Sequence, residues 1–339
     1  MLYVVLFFLM FSLLLYVVLA GADFGAGIIE LFSSKNNQSI TKKTVYRVMG
    51  PVWEANHIWI IILMVILWVG FPDFYNVLVV YLHIPLTLIL LGITLRGVAF
   101  VFRHYDAYKD NSQILYDWMF RIASLLTPIF LGTTFGAMLS GELIITENYE
   151  NFTFYQLFIN PWFNGFSILV GCFFAALCAF LTAILLIGEA KKDDISIYVK
   201  KSRIATIVVI AIGFILLCYG FIFNISFVTD FIDNSYAISL VLLSAILIFP
   251  LLKSIKNARK IVSRSLAGLQ VVLIMIAAFT THFPNLIIAS NKEISIMETA
   301  ATESVITILG ASLIVGGLII LPGLFHLFKA FKMIKVFER

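Results

Sequence analysis

The stretch MGPVWEANHIWIIILMVILW, from Met49 to Trp68, decides the class of molecule. Between Ile58 and Trp68 every residue is apolar, so a helix here is hydrophobic on all sides, as lipid requires. Its mouth is different. Trp53, Glu54, Asn56, His57 and Trp59 fall within seven residues. An acid, an amide and an imidazole where a hydrophobic helix begins need either a structural reason or a chemical one.

The rest of the chain fits the same setting. Its 339 residues are 61% hydrophobic and 12% charged, with a mean hydropathy of +1.03. A soluble domain so composed would present apolar surface to water over most of its exterior. Apolar runs near or above ~20 residues recur, the signature of membrane spans. In lipid each backbone amide must be satisfied internally, which leaves helices or a closed barrel, and runs that are continuous rather than alternating select helices.

The expected fold is therefore an all-α integral membrane protein with about nine spans. They are read at Leu2–Ile29, Pro51–Val69, Tyr75–Val101, Met119–Leu139, Asn164–Leu186, Ile204–Asn224, Tyr236–Leu252, Ser265–Thr281 and Val305–Leu327. The connections, of which Leu31–Gly50, Arg103–Trp118, Glu142–Phe163 and Phe283–Ser304 are the longest, leave no room for a soluble domain. The acidic stretch Glu142–Asn160 divides the chain. Residues 1–141 then make one four-helix bundle, 161–283 a second, and 305–339 a peripheral ninth helix with a basic tail.

Basic residues set the expected orientation. Lys35, Lys42, Lys43 and Arg47 share one set of connections with Arg103, Lys109, Lys191, Lys192, Lys200, Lys201 and Arg203, and with Lys253, Lys256, Arg259, Lys260 and Arg264. The tail adds Lys329, Lys332, Lys335 and Arg339, while the opposite set holds Lys292 alone. By the positive-inside rule the N-terminus lies outside and the C-terminus in the cytoplasm. The net charge of +4 is an orientation signal, and nothing resembles a nucleic-acid motif. Leu19–Asp23 offers small residues of a signal-cleavage type, but the segment lacks a basic start and its apolar core is too long, so it reads as a retained helix. Cys172, Cys178 and Cys218 all fall in apolar spans and read as buried free thiols.

Ionisable groups inside spans are costly unless paired or hydrated, so they point to function. Three stand out: Asp23 in GADFGAG, Glu54, and Arg96 in GITLRGVAF. All three belong to the cytoplasmic half on the assigned topology. Gly21 and Gly25 flank Asp23 at a spacing that lets another helix come close, and Gly132 and Gly136 repeat that spacing. Packing alone accounts for the second pair; for the first, packing and a protonatable site in a tight helix contact are both open.

At the mouth of the second span, Gly50-Pro51 signals a helix start. Glu54 then meets the positive end of the helix dipole, and Trp53 and Trp59 suit an interfacial belt. A helix start explains that much, but not Asn56 and His57 together. Helical spacing puts Trp53, Glu54 and His57 on one face, a polar funnel suited to passing protons or water inward. Arg96 is expected to form a structural ion pair with Glu54 or Asp23. The five histidines, His57, His83, His104, His282 and His326, raise haem ligation, which needs two at equal depth on facing helices; no motif supports it.

GADFGAG (Gly21–Gly27), GPVWEANHIWII (Gly50–Ile61), HIPLTLILLGITLRGVAFVFR (His83–Arg103) and THFPN (Thr281–Asn285) together resemble subunit II of the cytochrome bd-type quinol oxidases. The likeness runs through the whole chain in length, helix number and motif order. It departs after the FP of span eight, where this chain reads IIASN (Ile287–Asn291) in place of the proline-serine pair frequent in the family. The resemblance implies a bacterial cell membrane location and a haem-bearing subunit I as partner. It also implies that subunit I holds haems b and d, and that the complex oxidises quinol and reduces oxygen to water. It implies no haem ligands or catalytic residues in this chain. A small third subunit and a structural quinone, with Trp53 at its pocket, are candidate additions. Glu54 and Asp23 match acidic positions of the family, and with His57 they make the candidate proton path. A secondary transporter is the alternative; it would show inverted repeats and helices broken at mid-membrane.

Overall fold

The computed structural model describes residues 1–49, 53–105 and 111–330. Among these, nine helices are long and apolar enough to cross a membrane. They are α1 (Leu2–Leu31), α2 (Trp53–Gly70), α3 (His83–His104), α4 (Ser112–Leu139), α5 (Gly165–Glu189), α6 (Ile195–Ile222), α7 (Ser235–Lys256), α8 (Lys260–His282) and α9 (Glu303–His326). The expected all-α membrane fold is the observed one. The Gly50-Pro51 helix start, Lys109 and the tail residues Lys332, Lys335 and Arg339 lie outside the described residues.

Several boundaries differ from the sequence reading, each for a local reason. The single span expected at Tyr75–Val101 is two helices, Pro72–Tyr81 and α3, broken at Leu82. Pro85, in the first turn of α3, has no N–H for the Tyr81 carbonyl, so one helix cannot run through. In the same way α7 is interrupted at Leu247, ahead of Pro250. The connection after α1 holds a helix, Lys35–Met49. Its Thr41, Thr44, Val45 and Val48 are buried at i, i+3, i+4 and i+7, so it lies on the bundle by one face. Within α1, residues Tyr16–Ala20 form a π turn.

α5 occupies the centre, packing against α1, α4, α6 and α8. One apolar core joins Ile29, Phe100 and Phe120 of the first half to Ile184, Tyr198, Leu251 and Val271 of the second. The halves thus meet through α5, and α9 packs on α1 and α2. Cys178 is buried in the core, whereas Cys172 and Cys218 are half-buried, so the expectation of three buried thiols holds fully for Cys178.

Alternate connections gather at opposite ends. At the basic end Lys42 pairs with Asp117, Lys201 donates to Thr41, and Arg264 pairs with Glu189. At the other end Tyr81 donates to the Thr146 carbonyl, Ser290 N–H to that of Leu143, and His282 pairs with Asp230. The segment IIASN belongs here to a small antiparallel hairpin of β1 (Asn285–Ile288) and β2 (Glu293–Ser295). Asn291 clamps it to Ile145, accepting from the backbone N–H at 3.3 Å and donating to the carbonyl at 2.6 Å.

Glycine permits the closest helix contacts. A Cβ on Gly25 would collide with the Cys178 carbonyl and the Thr182 hydroxyl of α5. Thr182 donates to the Ala22 carbonyl at 2.5 Å, so a hydrogen bond sits beside the close approach. Gly132 meets the Cα of Gly171 in the α4–α5 contact. Gly25→Ala should therefore cost about 1–3 kcal/mol through forced separation of α1 and α5. Gly268→Ala, with nothing within 4 Å of its added methyl, should be neutral or slightly stabilising. Thermal unfolding of the detergent-solubilised protein measures both, and equal midpoints would refute the packing account.

Candidate functional site

The polar residues of the interior fall into two rungs between α1, α3 and α4. Asp23 and Glu30 are seven residues apart on α1, as are Arg96 and Arg103 on α3, and Asp117 and Ser124 on α4. Seven residues return a helix to nearly the same face two turns on, roughly 10 Å along its axis. Each helix thereby contributes to both rungs.

The lower rung, toward the basic end, is a closed ion cluster. Glu30 is fully buried and accepts two hydrogen bonds from Arg103 Nη2, at 2.8 and 3.0 Å. Arg121 Nε donates to the same carboxylate at 2.9 Å. Asp117 completes the cluster, 3.1 Å from Arg103 Nε and 2.6 Å from Lys42 Nζ. The Arg103 guanidinium also lies over the Phe120 ring, 4.6 Å from its centroid. Two carboxylates thus stand among three cations, each acid within reach of more than one.

The upper rung is looser. Asp23 is fully buried, and its Oδ2 accepts from Asn56 Nδ2 at 2.7 Å. Arg96, also buried, donates from Nη2 to the backbone carbonyl of Asp23 at 2.9 Å and from Nε to Ser124 Oγ at 3.2 Å. The phenyl rings of Phe24 and Phe120 flank its guanidinium at 5.2 and 5.4 Å. Arg96 makes no contact ion pair with a carboxylate among the described residues, so the expected pairing becomes a clasp on the Asp23 main chain. The carbonyl is there to be clasped because the next turn of α1 is glycine-rich and lets α3 and α4 come close: a Cβ on Gly27 would strike Ser124.

The mouth of α2 does not present one polar face. The helix Trp53–Asn56 ends at His57, and a new helix starts at Ile58. The break turns Asn56 inward onto Asp23 and leaves Glu54 exposed. Trp53 packs half-buried against Phe100, with ring centroids 5.5 Å apart. The His57 ring sits between Tyr16 and Phe24, at 6.0 and 5.7 Å. The structure therefore brings Asp23, Asn56 and Arg96 together, sets His57 against Tyr16 and Phe24, and keeps Glu54 at the surface.

Beside this rung Asp23 Oδ1, Asn56 Oδ1, both ring nitrogens of His57 and Tyr16 Oη are buried without a hydrogen-bond partner. Tyr16 opens the π turn of α1, a distortion frequent at functional sites.

The other histidines have different surroundings. His83 and His104 bond backbone carbonyls one turn back at 2.8 Å, His282 pairs with Asp230 at 3.0 Å, and His326 is exposed. Among the described residues no group of three or more His, Cys, Asp or Glu side chains is placed to hold a metal ion.

The profile of the cytochrome bd terminal oxidase subunit II family matches residues 1–331. The chain belongs to this family. Cytochrome bd ubiquinol oxidase subunit 2 of Bacillus subtilis (strain 168) is 28% identical over 160 residues, which cover 47% of this chain and 45% of that one. Cytochrome bd-I ubiquinol oxidase subunit 2 of Escherichia coli (strain K12) is 25% identical over 160 residues, 46% of this chain and 40% of the other. The aligned region thus spans less than half the length of these curated relatives. The structure of bd oxidase from Geobacillus thermodenitrificans superimposes on 98% of this chain and 100% of that chain, with a TM-score of 0.75 and 17% identity. That likeness is one of fold. This subunit II chain is thereby a multi-pass membrane protein of the bd oxidase family.

The lower rung was not anticipated, although its signal is in the sequence. Glu30 lies one residue beyond the first expected span, and Arg121 lies inside the fourth. Glu30 repeats Asp23 at the seven-residue spacing, and Arg121 stands one turn beyond Asp117 on the same helix. Glu30→Gln should cost about 3–5 kcal/mol, because it leaves buried guanidinium groups underpaired. Lys42→Gln, at the partly exposed rim, should cost no more than about 1 kcal/mol. Unfolding of the two purified variants checks the ranking, and a Glu30→Gln protein as stable as wild type would remove the lower rung as a structural clamp.

Proposed function

We propose that this chain is the haem-free subunit of a membrane quinol:oxygen oxidoreductase, working beside a haem-bearing subunit I. The family match across residues 1–331 carries this reading. The names of the Bacillus subtilis and Escherichia coli relatives, subunits of ubiquinol oxidases, supply the substrate class. Subunit I would supply electron transfer and oxygen binding. A small third subunit and a structural quinone beside Trp53 belong to the same proposal, as does placement of the basic end, with the C-terminus, in the cytoplasm.

Within that complex, the upper rung and the α2 mouth are the proposed proton route. Proton transfer needs groups that gain and lose a proton and can reach water or another carrier. Exposed Glu54 is the surface acceptor. The α2 break at His57 opens the backbone beside it, and Asn56 leads to buried Asp23, whose free oxygen can receive a proton. The unpaired polar atoms from Asn56 through His57 to Tyr16 are the kind that ordered water satisfies, each such water making two to four hydrogen bonds. Arg96 holds the Asp23 main chain in place and leaves its carboxylate free to titrate. Its role is positioning.

Purification from the native membrane in mild detergent should bring a haem-bearing membrane protein with this chain; arrival alone, without pigment, would remove the oxidase reading. Glu54→Gln keeps shape and hydrogen bonding but cannot titrate. The assembled Glu54→Gln complex should keep its haem content and consume oxygen on the order of 10²-fold more slowly, the scale of a lost general acid or base. Glu54→Asp should retain part of the rate. Oxygen consumption per haem decides, and wild-type rates across pH would exclude Glu54 from the route. Arg96→Leu should lower the yield of assembled complex more than the turnover per haem, as measured by haem content against subunit amount. The reverse pattern would argue against a positioning role.

A further inference from the structure

We propose that a groove between α6 and α7 at the basic end of the molecule binds an anionic phospholipid, its phosphate held by Arg203 and Lys256. Two adjoining depressions form the groove, and both are lined by Arg203, Ile207 and Lys256. Lys200 borders the first and Lys253 the second. All four cations are exposed, none forms an ion pair among the described residues, and no acidic side chain lines either depression.

Below the cations the walls become apolar. Ile204, Ile207 and Ile210 descend α6, facing Ile248 and Leu252 of α7. From Lys200 to Ile210 the axial distance is roughly 15 Å, about half the hydrocarbon thickness of a bilayer. Charge above and an apolar trough below match one molecule in two parts, a phosphate head with an acyl chain beneath it. A soluble anion would have no use for the trough, and a neutral lipid none for unpaired cations. Basic pockets between membrane helices bind anionic head groups by this combination. Exposure also fits, since both helices offer most of their surface to the surroundings. The interruption of α7 at Leu247 lies next to Ile248, which lines the second depression. None of these residues takes part in the rungs or in the α2 mouth, so the proposal stands apart from the oxidase reading.

The test uses the assembled complex as purified, stripped of lipid in detergent and titrated with dioleoylphosphatidylglycerol, with bound lipid counted by native mass spectrometry. Wild type should retain one phosphatidylglycerol more tightly than the rest, and prefer it to dioleoylphosphatidylcholine. Neutralising both head-group cations in Arg203→Gln/Lys256→Gln should weaken that binding on the order of tenfold or more. Ile207→Trp, which fills the trough and leaves the charges, should weaken it too. Lys191→Gln removes an exposed lysine outside the groove and should bind as wild type does. Equal retention by wild type and the double variant would overturn the site, as would equal binding of phosphatidylcholine. Full competition by millimolar inorganic phosphate would show an anion site without a lipid, and that also overturns the proposal.

Discussion

A carboxylate with no exposure to solvent inside an apolar bundle is the constraint around which α1, α3 and α4 are arranged. Glu30 cannot stay ionised there alone, since the desolvation of a buried ion is several kcal/mol even after relaxation. It is met by Arg103 from α3 and Arg121 from α4. Those guanidinium groups are buried in turn; Asp117 and the Phe120 ring stand beside Arg103, although its Nε and Nη1 make no hydrogen bond. Three helices are therefore held in one register, with Lys42 of the Lys35–Met49 helix drawn in through Asp117. Lipid gives helices little hydrophobic reason to associate, so such contacts and close glycine packing carry much of the specificity.

The register fixed at Glu30 determines what the turn above can do. Two turns up α1, Asp23 must face the same gap between α3 and α4, and Arg96 must face it from the other side. The two levels differ in where the guanidinium binds. Arg103 takes the Glu30 carboxylate itself, whereas Arg96 takes the Asp23 carbonyl. Gly25 and Gly27 bring α5 and α4 close on either side, and with the π turn at Tyr16–Ala20 they shape α1 at this level.

Hydropathy made the nine spans legible, because the lipid requirement acts on every residue of a span at once. Breaks inside spans were less so. Pro85 and Pro250 carry the chemistry for two of them, yet both fall inside spans read as continuous; the α2 break at His57 carries no proline or glycine, and it overturned the expected polar face of Trp53, Glu54 and His57. Asp23 and Arg96 were visible as charge within apolar runs. Their actual contact was not, since backbone carbonyls are invisible to a search for opposite charges. Glu30 lies just past the end of the first expected span, and Arg121 lies within the fourth, as its third residue. The seven-residue repeat that sets Glu30 below Asp23 becomes meaningful only when three helices are known to share one interface.

The contrast between rungs bears on which acid can exchange a proton. Glu30 is held by two hydrogen bonds from one guanidinium and a third from another, within a cluster of two acids and three cations. Glu30 is thus fixed in place by charged partners from two helices. Asp23 accepts a side-chain hydrogen bond on one oxygen and keeps the other without a protein partner. Its nearest guanidinium is committed to the main chain and to Ser124. Neither protonation state is locked by its neighbours, and a group that must load and unload a proton needs that balance. On the proposed reading, then, the lower rung bears the structural load so that the acid above it can stay loosely held.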